Sequence, residues 1–197
     1  MTTRPLLAVF MLAFAAVLTG CGSSPPTRFY TVDTLPPSAP AVYAGPPVRV
    51  DQIKIPAVLD RPEIVSEYAA GQLKVDDFNH WGAPLGQLLR SSLAADLAAR
   101  VPGPAVVPAE GPKPAGTIGL SVDILAVGTG AQGMTMDVVW TETRAAADAT
   151  GKPISLAHNT HLSVADSAAT PAGYAAGLSR MIAELADRMI TELGGKS

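Results

Sequence analysis

The chain has 197 residues, a formal net charge of −3 and 16% charged residues. This length is typical of one domain with a sizeable core, and the acidic balance argues against nucleic-acid binding, which usually needs clustered basic charge. A single cysteine, Cys21, excludes an internal disulfide, so the fold must depend on packing.

The N-terminus has the features of a secretory signal peptide. Arg4 precedes an uninterrupted apolar run over residues 6–18, and small residues follow that run. A membrane-spanning helix needs roughly 20 apolar residues, so the run is too short to cross a bilayer and matches the apolar region of a signal peptide. We therefore predict that residues 1–20 are a signal peptide that directs export.

The apolar run closes with LTGC at residues 18–21, which resembles the bacterial lipobox, in which the cysteine is acylated and becomes the first mature residue. Several acyl chains give lasting membrane attachment because each buried CH₂ contributes about 0.8 kcal/mol. Cys21 is thus the predicted lipid-attachment residue, and residues 21–27 are a lipidated tether. In lipoproteins of this kind an Asp after the cysteine favours the inner membrane, so Gly22 points to the outer membrane, on its periplasmic face.

Strands are predicted in the first part of the mature chain. The aromatic and β-branched run at 28–32 predicts one strand, and alternation over 48–55 predicts a second. Runs at 64–69 and 73–78 flank a glycine and predict a hairpin. The proline-rich segment 35–47 is predicted to be irregular.

The second part of the chain predicts two helices around a three-stranded meander. Apolar residues at helical spacing, starting after Pro84, predict a helix over 84–101. Alternating segments around 118–124, 134–140 and 154–164 predict strands, and Thr170 is the predicted N-cap of a terminal amphipathic helix. The sum predicts an α+β fold over residues 28–197, with a single antiparallel sheet and two amphipathic helices packed on one face.

The sequence contains no convincing catalytic or metal-binding constellation. Residues 128–133 match G-x-G-x-x-G, but an alternating segment follows instead of a helix, so a hairpin loop is predicted there. His158 and His161 are three residues apart on a predicted strand and would point to opposite faces, which excludes a shared zinc site. No metal and no cofactor are therefore expected.

Three residues are candidate partner contacts. Asp60 and Arg61 lie in Leu-Asp-Arg-Pro, directly after a predicted strand, where loops carry contacts. The alternative is a surface ion pair between them, which contributes little stability. Trp81 precedes the first predicted helix, where an aromatic residue either packs in the core or anchors an interface.

Several segments, taken in order, resemble the PqiC-type lipoproteins, which are auxiliary lipoproteins of membrane-integrity transport systems. They are the lipobox, RFYTVD at 28–33, IPAVLDRPEIV at 55–65, FNHWGAPL at 78–85 and the terminal amphipathic helix. Leu-Asp-Arg-Pro and Trp-x-x-Pro-Leu are the most specific of these. The chain departs from the family at His80, where Arg is common, at Gly82-Ala83, and at 102–116 and 145–149, which match no family motif.

The resemblance implies a non-enzymatic lipoprotein that docks or caps an MCE-domain protein spanning the periplasm. With an inner-membrane transporter, such a pair moves phospholipid between the membranes and supports membrane integrity. A homo-oligomeric ring would match the symmetry of such assemblies and is left open. Two alternatives also stay open on the residues alone: a lipid-tethered periplasmic hydrolase, and a shuttle that holds an apolar ligand between sheet and helices.

Overall fold

The computed structural model describes residues 25–37, 43–69, 71–101, 103, 105–130, 132–145, 151–165 and 170–194. Cys21, the predicted signal peptide and the first part of the tether lie outside these residues. The strands are β1 (Arg28–Tyr30), β2 (Val48–Lys54), β3 (Glu63–Ala69), β4 (Gln72–Trp81), β5 (Ile118–Gly130), β6 (Gly133–Arg144) and β7 (Ile154–Val164); the helices are α1 (Leu85–Arg100) and α2 (Pro171–Gly194). The predicted strands and helices are confirmed, although β5 and β6 continue to Gly130 and Arg144, beyond the predicted segments 118–124 and 134–140.

The strands form two mixed sheets, so the expected single antiparallel sheet is wrong. One sheet has the order β1-β4-β3, with β1 parallel to β4 and β3 antiparallel to it. The other has the order β2-β5-β6-β7, with β2 parallel to β5 and the remaining pairs antiparallel. The predicted meander of β5, β6 and β7 is confirmed, and β2 extends it at one edge.

The chain alternates between the two sheets, and this produces both parallel pairs. After β2 it passes through a short 3-10 turn, Ala57–Leu59, into the β3–β4 hairpin of the other sheet. It then returns through α1 to place β5 beside β2. Parallel neighbours need a long crossover, and the β3–β4 hairpin together with α1 supplies it.

The four-stranded sheet and both helices enclose the hydrophobic core. Alternate residues of β5 and β6 are buried on one face, as expected for a half-buried antiparallel sheet. Both helices contact this sheet and each other. The largest fully buried side chains come from all these elements: Leu85, Leu89, Leu93, Leu97, Ile118, Leu120, Met134, Met136, Trp140, Leu162, Tyr174 and Leu178.

Both helix starts follow the local sequence. Pro84 stands immediately before α1, where the N–H that proline lacks would have no helical partner. Thr170 caps α2, because its Oγ1 accepts a hydrogen bond from the Gly173 N–H at 3.0 Å. The predicted N-cap is thus confirmed. Within the described part of the chain, neither helix is both long and apolar enough to span a bilayer.

The segment after β1 is held between the two helices by polar side chains. The Leu35 N–H donates to Asp96 Oδ1 on α1 at 2.8 Å, and the Asp33 N–H donates to Ser179 Oγ on α2 at 2.9 Å. Arg100 Nη1 donates in turn to the Leu35 carbonyl at 3.3 Å. These bonds attach the chain that leads from the tether directly to the helical layer.

Candidate docking surface

An apolar groove lies where the β3–β4 hairpin meets β5. Its volume is about 200 Å³, and its walls come from four elements: Pro56, Val58, Leu59, Val65, Ser66, Leu73, Leu125, Ala126 and Val127. Val58, Leu73 and Leu125 are 43%, 53% and 60% exposed, which is unusual for large apolar side chains that lie so close together. We call this surface the apolar groove.

The Leu-Asp-Arg-Pro tetrapeptide begins at the wall of the apolar groove. Its Leu59 is the last residue of the 3-10 turn, and the Leu59 N–H donates to the Pro56 carbonyl at 2.9 Å. Leu59 is buried and lines the groove, whereas Asp60 and Arg61 are exposed beside it. The turn therefore presents one carboxylate and one guanidinium next to an apolar surface.

Arg61 does not pair with Asp60, as the alternative interpretation expected, but with Glu63. Arg61 Nε donates to Glu63 Oε2 at 2.7 Å. This hydrogen bond holds the pKa of the Glu63 carboxyl below its ordinary value. Since the partner of Arg61 is Glu63 two residues along the chain, the interpretation as an Asp60–Arg61 ion pair is not supported by the geometry.

Trp81 lies inside the protein, at the end of β4. Its side chain is buried, and its ring lies 6.2 Å from that of Tyr174 on α2. Its backbone N–H donates to the Pro62 carbonyl at 2.7 Å. Burial favours the core role over direct partner contact, and the backbone bond joins the end of β4 to the Leu-Asp-Arg-Pro turn.

A second, polar cleft lies between β7 and α2. Its volume is about 460 Å³, and its walls include Trp140, His158, Thr160, Arg188 and Glu192. The His158 ring stacks on Trp140 with centroids 3.9 Å apart, and its Nε2 lies 3.7 Å from Glu142 Oε1. The Thr160 hydroxyl accepts a hydrogen bond from Trp140 Nε1 at 3.2 Å and is not bonded to the histidine. The cleft thus places a histidine beside a carboxylate without a nucleophile held against it.

The two histidines on β7 are separated as the sequence predicts. His158 faces the helical side, whereas His161 is exposed and its Nδ1 lies 2.7 Å from Asp137 Oδ1. Among the residues that the structure describes, no group of three or more His, Cys, Asp and Glu is arranged to hold a metal ion.

The glycine-rich run at 128–133 joins two strands. Gly128 and Gly130 end β5, and Gly133 begins β6 with a φ of 119°, so the predicted hairpin is confirmed. No helix N-terminus follows this run to hold a pyrophosphate, which is what a dinucleotide site of this type requires.

Most residues of the apolar groove could not be identified from the sequence. Leu73 lies in a predicted strand and Leu125 directly after one, but their exposure depends on how the hairpin lies against β5. The sequence contains one local signal, because apolar Leu125 follows apolar Ile124 and so ends the alternation; the structure has a register shift between Ile124 and Ala126. Such shifts often mark functional edges of sheets.

Comparisons with known proteins agree with this fold. A family model described as "ABC-type transport auxiliary lipoprotein component" matches residues 30–190. An uncharacterised protein of known structure is 18% identical, with a TM-score of 0.63 over 85% of this chain and 99% of its own. A Xanthomonas campestris protein that carries the family label DUF330 is 13% identical, with a TM-score of 0.61 over 85% of this chain and 95% of its own. No curated protein matches the sequence.

Proposed function

Because the chain belongs to the family of ABC-type transport auxiliary lipoprotein components, we propose that it is a lipid-anchored accessory subunit of an MCE-type phospholipid transport system. In this proposal Cys21 carries the anchor in the outer membrane, on its periplasmic face. The domain docks or caps the periplasm-spanning MCE partner and so connects the inner-membrane transporter to the outer membrane. The family match over residues 30–190 is the observation that carries the proposal.

The apolar groove supports a docking role. A protein partner that buries Val58, Leu73 and Leu125 would remove three exposed apolar side chains from water, at about 25 cal/mol per Å² of apolar area. Asp60 and Arg61 at the end of the groove would form the polar rim that interfaces usually have around an apolar centre. Trp81 would contribute by holding the Pro62 carbonyl and thus the shape of the turn.

The two alternative functions receive less support from the geometry. A lipid shuttle that uses the space between sheet and helices would need a cavity there, but Met134, Met136 and Leu178 are fully buried in this layer. A hydrolase would most reasonably use the polar cleft, where His158 lies beside Glu142. His158→Ala therefore gives that alternative a specific test.

The proposal is tested by co-purification from detergent-solubilised membranes. We expect the parent protein to recover an MCE-domain protein or its transporter. Leu73→Thr and Leu125→Thr, which introduce β-branched residues that suit strands, are expected to reduce that recovery several-fold, because each removes apolar area from the groove. Arg61→Ala is expected to reduce recovery less.

Leu156→Thr is the matched control, since Leu156 is a similarly exposed leucine on β7, away from the groove. Its recovery should equal that of the parent. Recovery of no transporter component by the parent would contradict the proposed function. An equal loss with Leu156→Thr would contradict the assignment of the groove, and a turnover abolished by His158→Ala in a folded protein would favour the hydrolase.

A further inference from the structure

The exposure of phenylalanine in this chain is unusual. The sequence has four phenylalanines, and Phe10 and Phe14 lie in the predicted signal peptide. The other two, Phe29 and Phe78, are 68% and 42% exposed, while both tryptophans are buried. Aromatic side chains normally contribute to the core, so two exposed phenylalanines indicate a surface with a partner.

The two phenylalanines lie on neighbouring strands. Phe29 on β1 is opposite His80 on β4, and the two rings meet edge to face with centroids 5.9 Å apart. Phe78 lies two residues before His80 on β4, in the stretch where the pairing of β4 with β3 shifts register, and it is exposed like Phe29. We call Phe29, Phe78 and His80 the aromatic edge.

The aromatic edge lies close to the predicted anchor along the chain. The eight Cα steps from Cys21 to Phe29 span at most about 28 Å, even when the chain is fully extended. Phe29 therefore cannot lie farther than about 28 Å from a lipid surface that holds Cys21, and a shorter path of the tether lets it touch that surface. Aromatic rings are favoured at the boundary between acyl chains and headgroups.

We propose that the aromatic edge rests on the membrane in which Cys21 is anchored, and this inference rests on the proposed lipid anchor. Contact at two points, the acyl chains and the aromatic edge, restricts how the domain can turn about its tether. It thereby sets the direction in which the apolar groove faces. The domain is presented to its partner in one orientation, which reduces the orientational cost of docking.

A lipid surface fits this edge better than a second copy of the chain. β1 has three residues, Arg28–Tyr30, so strand pairing along its free edge would add few hydrogen bonds. Arg28 and Asp77, both exposed beside the phenylalanines, carry opposite charges. The contact should therefore be apolar and nearly independent of salt, with no requirement for anionic lipid.

Fluorescence quenching by brominated lipid tests the proposal. The mature lipoprotein, purified with its anchor, is reconstituted into phosphatidylcholine vesicles whose acyl chains carry bromine near the headgroup. Phe29→Trp adds an indole at the aromatic edge, while Leu125→Trp in the apolar groove and Leu156→Trp on β7 add one at other exposed apolar positions. The parent, in which Trp81 and Trp140 are buried, supplies the baseline.

We expect the fluorescence lost on bromination to be several-fold larger for Phe29→Trp than for the parent, and unchanged in high salt. Leu125→Trp and Leu156→Trp should resemble the parent. Equal quenching of Phe29→Trp and the parent, equal quenching at all three positions, or quenching abolished by salt would each overturn the inference. Mass measurement of the purified protein separates the causes: an unacylated Cys21 overturns the anchor as well, whereas an acylated protein without quenching at residue 29 overturns the inference alone.

Discussion

Arg100 on α1 joins Asp187 on α2 through two hydrogen bonds, Nε to Oδ1 at 2.6 Å and Nη2 to Oδ2 at 3.2 Å. The same guanidinium donates to Asp96 one helical turn earlier on α1, at 3.3 Å. Asp96 is 0% exposed, so Arg100 is the charge that compensates a fully buried carboxylate. This i, i+4 pair is thus part of a buried network that connects both helices.

Arg100→Leu is expected to lower the free energy of unfolding by about 3–5 kcal/mol, because it removes the positive charge that is paired with the buried Asp96 carboxylate. Urea denaturation of the mature chain measures this change. Arg188→Leu is the matched control, since it breaks the exposed Arg188–Glu184 pair and should cost about 0.5 kcal/mol or less. Equal losses in the two variants would show that the buried network contributes no more than a surface pair.

Asp96 also makes the stability depend on pH. Burial raises the pKa of its carboxyl above the ordinary value, against the opposing effects of the Leu35 N–H and Arg100. A group whose pKa is higher in the folded state contributes stability below its unfolded pKa and loses that contribution as pH rises through the folded value. Asp96→Asn keeps the shape and cannot ionise. The parent should therefore lose stability relative to Asp96→Asn as pH rises above the ordinary carboxyl pKa.

Denaturation curves of both proteins over a series of pH values provide the measurement. Other carboxyl groups titrate in both proteins, so only the difference between the two free energies of unfolding is interpreted. A difference that stays constant with pH would show that Asp96 has an ordinary pKa in the folded protein.

Gly133→Ala is expected to lower the free energy of unfolding by about 1–3 kcal/mol. Gly133 has a φ of 119°, and a methyl group there would collide with the Val164 carbonyl oxygen of β7. Gly130→Ala, on the other side of the same turn, meets nothing within 4 Å and should change the value by about 0.5 kcal/mol or less. Thermal or urea unfolding measures both, and equal effects would contradict the hairpin geometry.

The elements could be predicted from the sequence because periodicity reports which residues of a segment are buried. The apolar stripe of α1 and the alternation of β5 and β6 both depend on local spacing alone. The neighbour with which a strand pairs, and whether that pairing is parallel or antiparallel, do not depend on local spacing. β1 pairs with β4 and β2 with β5 across long stretches of chain, and nothing in Arg28–Tyr30 or Val48–Lys54 records those partners. A single antiparallel sheet was therefore expected where two mixed sheets exist.

In the candidate docking surface, too, some features could be predicted from local sequence and others depend on the whole fold. Asp60 and Arg61 could be predicted because a turn after a strand is exposed in most folds. The burial of Trp81 depends on α2, whose Tyr174 lies beside it only after the whole chain has folded. The exposure of Leu73, Leu125 and Phe29 likewise results from where the small sheet lies. From its residue type alone, an apolar side chain is expected to be buried. Whether it is exposed depends on the whole fold.

Cys21→Ala tests the predicted lipid anchor. Without the thiol, no acyl chain can be attached, so we expect no incorporation of labelled palmitate and accumulation of the precursor. Palmitate labelling and immunoblotting of fractionated membranes measure both effects. A labelled variant that still fractionates with the outer membrane would contradict the lipoprotein interpretation.

Gly22→Asp tests the choice of membrane separately from the anchor. The residue after the acylated cysteine is the feature from which the outer membrane was inferred, and an Asp in that position favours the inner membrane. We expect Gly22→Asp to incorporate palmitate at the level of the parent while moving to the inner-membrane fraction of a density gradient. If palmitate labelling matches the parent, a loss of transporter recovery would follow from the wrong membrane. Unchanged fractionation of Gly22→Asp would contradict the sorting argument and leave the anchor itself intact.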